Sequence, residues 1–160
     1  MAASSSTATA KELGVSVNQA GPVEQAGTTV VSIEGTIEFD PVVKVLHQSD
    51  PTITDVGVVI YRLVTYSGTF TGTMTGPFKA TDWATINLST GAVQANGIAI
   101  CECAVGDHSG PLFAKTKATG NIFAFTGSFE GLGARGIRVS GTFAGPTGGP
   151  ATYEGEAVIR

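Results

Sequence analysis

Large apolar residues alternate with Thr, Ser and Glu along most of this chain. From Thr29 to Phe39, Val31, Ile33, Ile37 and Phe39 share one face, and Val30, Ser32, Glu34, Thr36 and Glu38 take the other. That period of two is a strand. Asp40-Pro41 ends it, and Val42 to His47 is a short apolar stretch of open type before a turn at Ser49-Asp50-Pro51. Gly57 to Phe78 stays β-like for too long to be one straight strand. In a continuous phase, Val58, Ile60, Arg62, Val64, Tyr66, Phe70 and Met74 lie on one face, opposite a ladder of hydroxyls from Thr65 to Thr75. The alternative is a bulge near Val64 and Thr65, which turns Tyr61 inward in place of Arg62. Asp82 to Leu88 and Ala92 to Val105 read as a hairpin around Ser89-Thr90-Gly91. Further strands are predicted at 112–118, 122–130, 137–143 and 151–159, separated by Gly- and Pro-containing turns.

Glycines recur inside this alternation, usually followed two residues on by something large. Gly68-Thr69-Phe70, Gly72-Thr73-Met74, Gly127-Ser128-Phe129 and Gly141-Thr142-Phe143 are the clearest cases. Each glycine shares a face with the large residue, so the inner wall is thinned at regular points, which favours strong coiling. The pattern predicts an all-β fold of eight or nine strands. A single closed antiparallel barrel over residues 28–160 is favoured over an open sandwich, since closure removes exposed edges. Residues 1–27 read as a flexible leader, small and polar, with Gly21-Pro22 as a breaker.

Composition narrows the function classes. Only 14% of the 160 residues are charged and the net charge is −4. With no basic stripe, nucleic acid is not an expected partner. No apolar run reaches the ~18 residues of a membrane helix, and Met1 to Ala10 lacks the basic and apolar regions of a secretory signal. The expectation is a cytoplasmic protein without a membrane partner. Cys101 and Cys103 share a strand face; they read as buried structural thiols, because a bridge between such neighbours is strained. His47 and His108 do not supply the paired spacing of a zinc site. Gly131-Leu132-Gly133 lies between strands and offers no helix N-terminus to a phosphate, and Asp107-His108-Ser109 in one turn cannot form a triad. No metal and no cofactor are expected.

Several segments carry a family resemblance. Gly68-Thr69-Phe70-Thr71-Gly72-Thr73, Gly131-Leu132-Gly133-Ala134-Arg135-Gly136, Gly141-Thr142-Phe143-Ala144-Gly145 and Thr152-Tyr153-Glu154-Gly155 resemble the strand and turn motifs of the small bacterial barrels grouped as domain of unknown function 3224. That group is similar in fold to the allene oxide cyclase-like barrels. The resemblance covers a little over half the chain, from Gly68 onward. It implies an eight-stranded antiparallel barrel with an apolar lumen, often oligomeric, so a homodimer or homotrimer is expected. It transfers no catalytic residue.

Chemistry is therefore sought in the lumen. The expected lining is Val31, Ile33, Phe39, Ile60, Phe70 and Met74 from the first half, with Cys101, Cys103, Phe123, Phe125, Phe129, Val139, Phe143 and Tyr153 from the second. An eight-stranded barrel either fills this space with its own side chains or keeps a ligand-sized cavity. Arg62 and Tyr66 are the candidate donors to a developing oxyanion. Glu102 is a candidate acid or base if it faces inward; the competing placement, in solvent beside Lys115 or Lys117, is preferred. Trp83 is expected to plug one end of the core. The expected function is the binding of a small hydrophobic molecule, with cofactor-free isomerisation or cyclisation by substrate preorganisation as its catalytic form. A carrier or sensor, or a solid structural barrel, are the alternatives.

Overall fold

A computed structural model describes residues 27–160; the rest of the expected leader lies outside the described residues. Its strands run in chain order: β1 (Thr29–Phe39), β2 (Lys44–Gln48), β3 (Thr52–Thr54), β4 (Gly57–Gly72), β5 (Met74–Asn87), β6 (Val93–Val105), β7 (His108–Gly120), β8 (Ala124–Gly133), β9 (Arg138–Pro146) and β10 (Ala151–Ile159). From β4 to β10 every neighbour in sequence is a neighbour in the sheet, all antiparallel. β1 then pairs with β10 on one side and β4 on the other, closing an eight-stranded barrel. No helix among the described residues is long and apolar enough to cross a membrane.

The long β-like run after Gly57 is two strands meeting at a corner. Gly72 has φ +117°, which L side chains rarely adopt, and Thr73 links it to β5. β4 is shared along its length. Its Gly68–Gly72 half pairs with β1, while its Gly57–Thr65 half carries β2 and β3. The stretch of open type, 42–47, is thus mostly an edge strand, with a bulge between Val45 and His47. The glycine-rich segment 131–136 finishes β8 and makes a 3-10 turn, Ala134–Gly136.

Inner-face glycines are occupied by rings from the next strand. Gly68 faces Phe78, Gly127 faces Phe143 and Gly141 faces Phe129 in register. A methyl on Gly68 would stand 2.7 Å from Phe78 Cε1, one on Gly141 would stand 2.6 Å from Phe129 Cζ, and one on Gly127 would overlap the Phe143 ring. The missing side chains therefore make berths for aromatics, as in aromatic rescue of sheet glycines. Ile33, Ile37, Phe129, Val139, Tyr153, Ala157 and Ile159 belong to the core these rings help to fill.

Tyr153 seals the corner. Its hydroxyl accepts from the Met74 amide at 3.0 Å and lies 2.9 Å from the Met74 carbonyl and 3.3 Å from that of Thr71, to either of which it can donate. Backbone polar groups that the corner takes out of the ladder are satisfied in this way.

Candidate functional site

A cavity of about 640 Å³ remains in the barrel. Its room comes from alanines rather than glycines. Ala80, Ala84, Ala95, Ala99, Ala114 and Ala118 line it from three consecutive strands, β5 to β7. Phe39, Tyr66, Phe78 and Phe125 line it as well, with ring centroids 5.9 to 6.2 Å apart along the chain of contacts. Asp40, Pro41, Val43, Thr147 and Gly148, all exposed or from loops, mark the mouth.

The continuous phase of β4 is the one observed. Arg62, Val64, Tyr66 and Phe70 line the cavity, and Tyr61 faces solvent. Arg62 and Tyr66 are thus both brought to the lumen, but each is already engaged. Arg62 Nε donates to Gln48 Oε1 at 2.6 Å, which holds the guanidinium toward β2. The Tyr66 hydroxyl donates to Asp82 Oδ2 at 2.8 Å.

Asp82 is the group that sequence reasoning missed. It is the buried charged residue of the described core, 7% exposed, and Thr116 donates to its Oδ1 at 3.3 Å. Gly97 makes its berth: the two are register partners, and a methyl on Gly97 would overlap Asp82 Oδ1. Burial raises the Asp82 carboxyl above the ordinary carboxylate range, and the Tyr66 and Thr116 hydrogen bonds oppose that rise only in part. Burial also lifts the Tyr66 phenol above its usual range, with the charge and hydrogen bond of Asp82 adding to it. The result is a carboxyl that holds its proton more tightly than an exposed one, set in an apolar space and hydrogen-bonded to a phenol that keeps its own. Such a group can give or take a proton, or pair with a cation.

The other candidates separate cleanly. Phe39, Phe70, Met74, Cys101, Phe125 and Phe143 line the cavity, as do Phe129 and Val139. Ile33, Ile60, Cys103 and Tyr153 are buried but do not line it, and Val31 packs against the core. Glu102 is exposed, on the outer face between two inward cysteines, so the lumen has no access to it. Phe123 is 76% exposed, because β8 begins one residue after it. Trp83 is 58% exposed; it follows an inward Asp82 and so must point out, and it plugs nothing. Cys101 and Cys103 are not free thiols. They are paired as a disulfide, with Cα atoms 5.2 Å apart. His47 is exposed on β2, and His108 opens β7 with a buried Nδ1 that has no partner.

A second, wider depression of about 1090 Å³ crosses the outer wall. It is open to solvent and lined by hydroxyls such as Thr36, Thr126, Thr142 and Thr152, with Lys117, Glu34 and Glu154. Asp82 does not line it, and the hydroxyl of its buried Tyr153 is already bonded to the corner backbone, so the chemistry points to the inner cavity. The chain matches no protein-family model and no curated protein.

Proposed function

We propose that the barrel binds a small hydrophobic molecule in its inner cavity. The observation that carries this reading is the alanine-walled space of about 640 Å³ beside a buried, hydrogen-bonded carboxyl. A cavity lined by Phe, Val, Ile and Ala side chains, with few convergent polar groups, has the make-up of a small-molecule site. The test uses the neutral fluorescent probe N-phenyl-1-naphthylamine. Its emission should rise on titration with the protein, and Ala84→Trp or Ala95→Phe, which fill the space, should abolish the rise while the far-ultraviolet spectrum stays β. An unchanged response in both variants would place the probe elsewhere and remove the reading.

A second reading has the same cavity catalyse a cofactor-free isomerisation or cyclisation. Asp82 favours it. A carboxyl raised by burial can protonate or deprotonate a bound molecule, and the rings around it would hold a flexible substrate in one conformer. Arg62 stands at the mouth and would orient the polar end of such a substrate. On this reading Asp82→Asn removes turnover but leaves probe binding intact. Self-association belongs to the proposal as well. Ile100, Phe113 and Leu132 form one outward row across β6, β7 and β8, each about half exposed, and such a row suits burial against a second copy.

A further inference from the structure

The cavity's charge balance is lopsided. Three of its lining residues are charged: Asp40, Arg62 and Asp82. Asp40 sits at the mouth, where the Ser67 hydroxyl donates to its Oδ2. Arg62, the one cationic side chain in the lining, is turned to Gln48. Asp82 is left deep inside with two neutral hydroxyl partners, Tyr66 and Thr116. A buried carboxylate is ordinarily paired with a cation, and among the described residues its side-chain partners are these two hydroxyls alone. Its partner Tyr66 belongs to a cluster of four aromatic rings in the same cavity, with Phe39, Phe78 and Phe125, whose faces attract positive charge.

Resting on the reading of this cavity as a small-molecule site, we infer that its ligand is a protonated lipophilic amine. The ammonium group pairs with Asp82 under the aromatic cluster, and its apolar body lies against the alanine wall. A carboxylate ligand is the poorest fit, since it would bring like charge to Asp82 in a low-dielectric space. A neutral ligand fits the volume but leaves Asp82 without a counter-ion. Gly97 keeps the berth in which the carboxyl can turn its free lone pairs to the ligand.

Three probes of matched shape separate these cases: 1-naphthylmethylamine, 1-naphthalenemethanol and 1-naphthoic acid, titrated calorimetrically at pH 7. The amine is expected to bind about tenfold or more tighter than the alcohol, and the acid weakest. Asp82→Asn should lower amine affinity about tenfold and leave the alcohol nearly unchanged, which also shows that the variant is folded. Equal binding of amine and alcohol, tightest binding of the acid, or an amine affinity indifferent to Asp82→Asn overturns the inference and leaves the small-molecule reading standing. Failure of all three probes, together with N-phenyl-1-naphthylamine, overturns both.

Discussion

At the scale of the residue, Asp82 is the most exacting position. Its carboxyl is raised in the fold, so the native state holds a proton that the unfolded chain has released. From the ordinary carboxylate pKa up to the raised one, the native state binds more protons than the unfolded state, and stability falls as pH rises. Above that window the full penalty is present. Asn carries no charge and escapes it. Urea midpoints of Asp82→Asn and the parent should therefore diverge in favour of the variant as pH is raised from the ordinary carboxylate range; a constant difference would show that the carboxyl is not held up. In the sequence, Asp82 looks like a turn residue at the head of a strand. The signal that identifies it is phase. Met74, Phe78, Ala80, Ala84 and Ile86 share its parity, which makes it the one carboxyl in an apolar register. That parity is readable only once the strand is known to begin at Met74. Glu102 was ambiguous for the opposite reason: apolar residues occupy both faces around it, since Ile98 and Ile100 point outward.

At the scale of the element, glycine and ring work as a pair across neighbouring strands. Gly141→Ala would push the Phe129 ring from its berth and cost about 1–3 kcal/mol. Tyr153→Phe keeps the ring but strips the corner of its hydroxyl; with the Met74 N–H and C=O left buried, about 1–3 kcal/mol should be lost. Both are read from chemical denaturation, and a change under about 0.5 kcal/mol in either would contradict the packing described. The alternation made the strands legible, together with the Ser89-Thr90-Gly91 turn, but left the phase of β4 open between a continuous run and a bulge at Val64 and Thr65. It was silent on where the glycines' absent volume goes, because that depends on register between strands. The same limit hid the corner at Gly72-Thr73, where Thr/Gly alternation runs unbroken through the bend.

At the scale of the whole molecule, the wall is uneven. β6 and β7 pair from Val93 to Val105, whereas the β1–β4 seam spans only Gly35 to Phe39 on the β1 side. Hydrogen exchange should open that seam first, with the amides of 35–39 and 68–72 exchanging faster than those of β6 and β7. Protection of the seam equal to β6 would show the barrel opening as one unit. The seam lies directly below the mouth, so a breathing motion there would also admit a ligand too wide for the resting opening.

The partnership of β1 with β10 has a consequence for biosynthesis. On the ribosome, β1 appears first and must wait for almost the entire domain before its mate, Thr29 beside Ile159, is available. Throughout that delay the nascent sheet presents raw backbone on two sides, rich in Val and Thr, to every other growing copy nearby. Translation speed and chaperone supply, more than the finished barrel's own stability, would then govern how much of the protein a cell obtains intact.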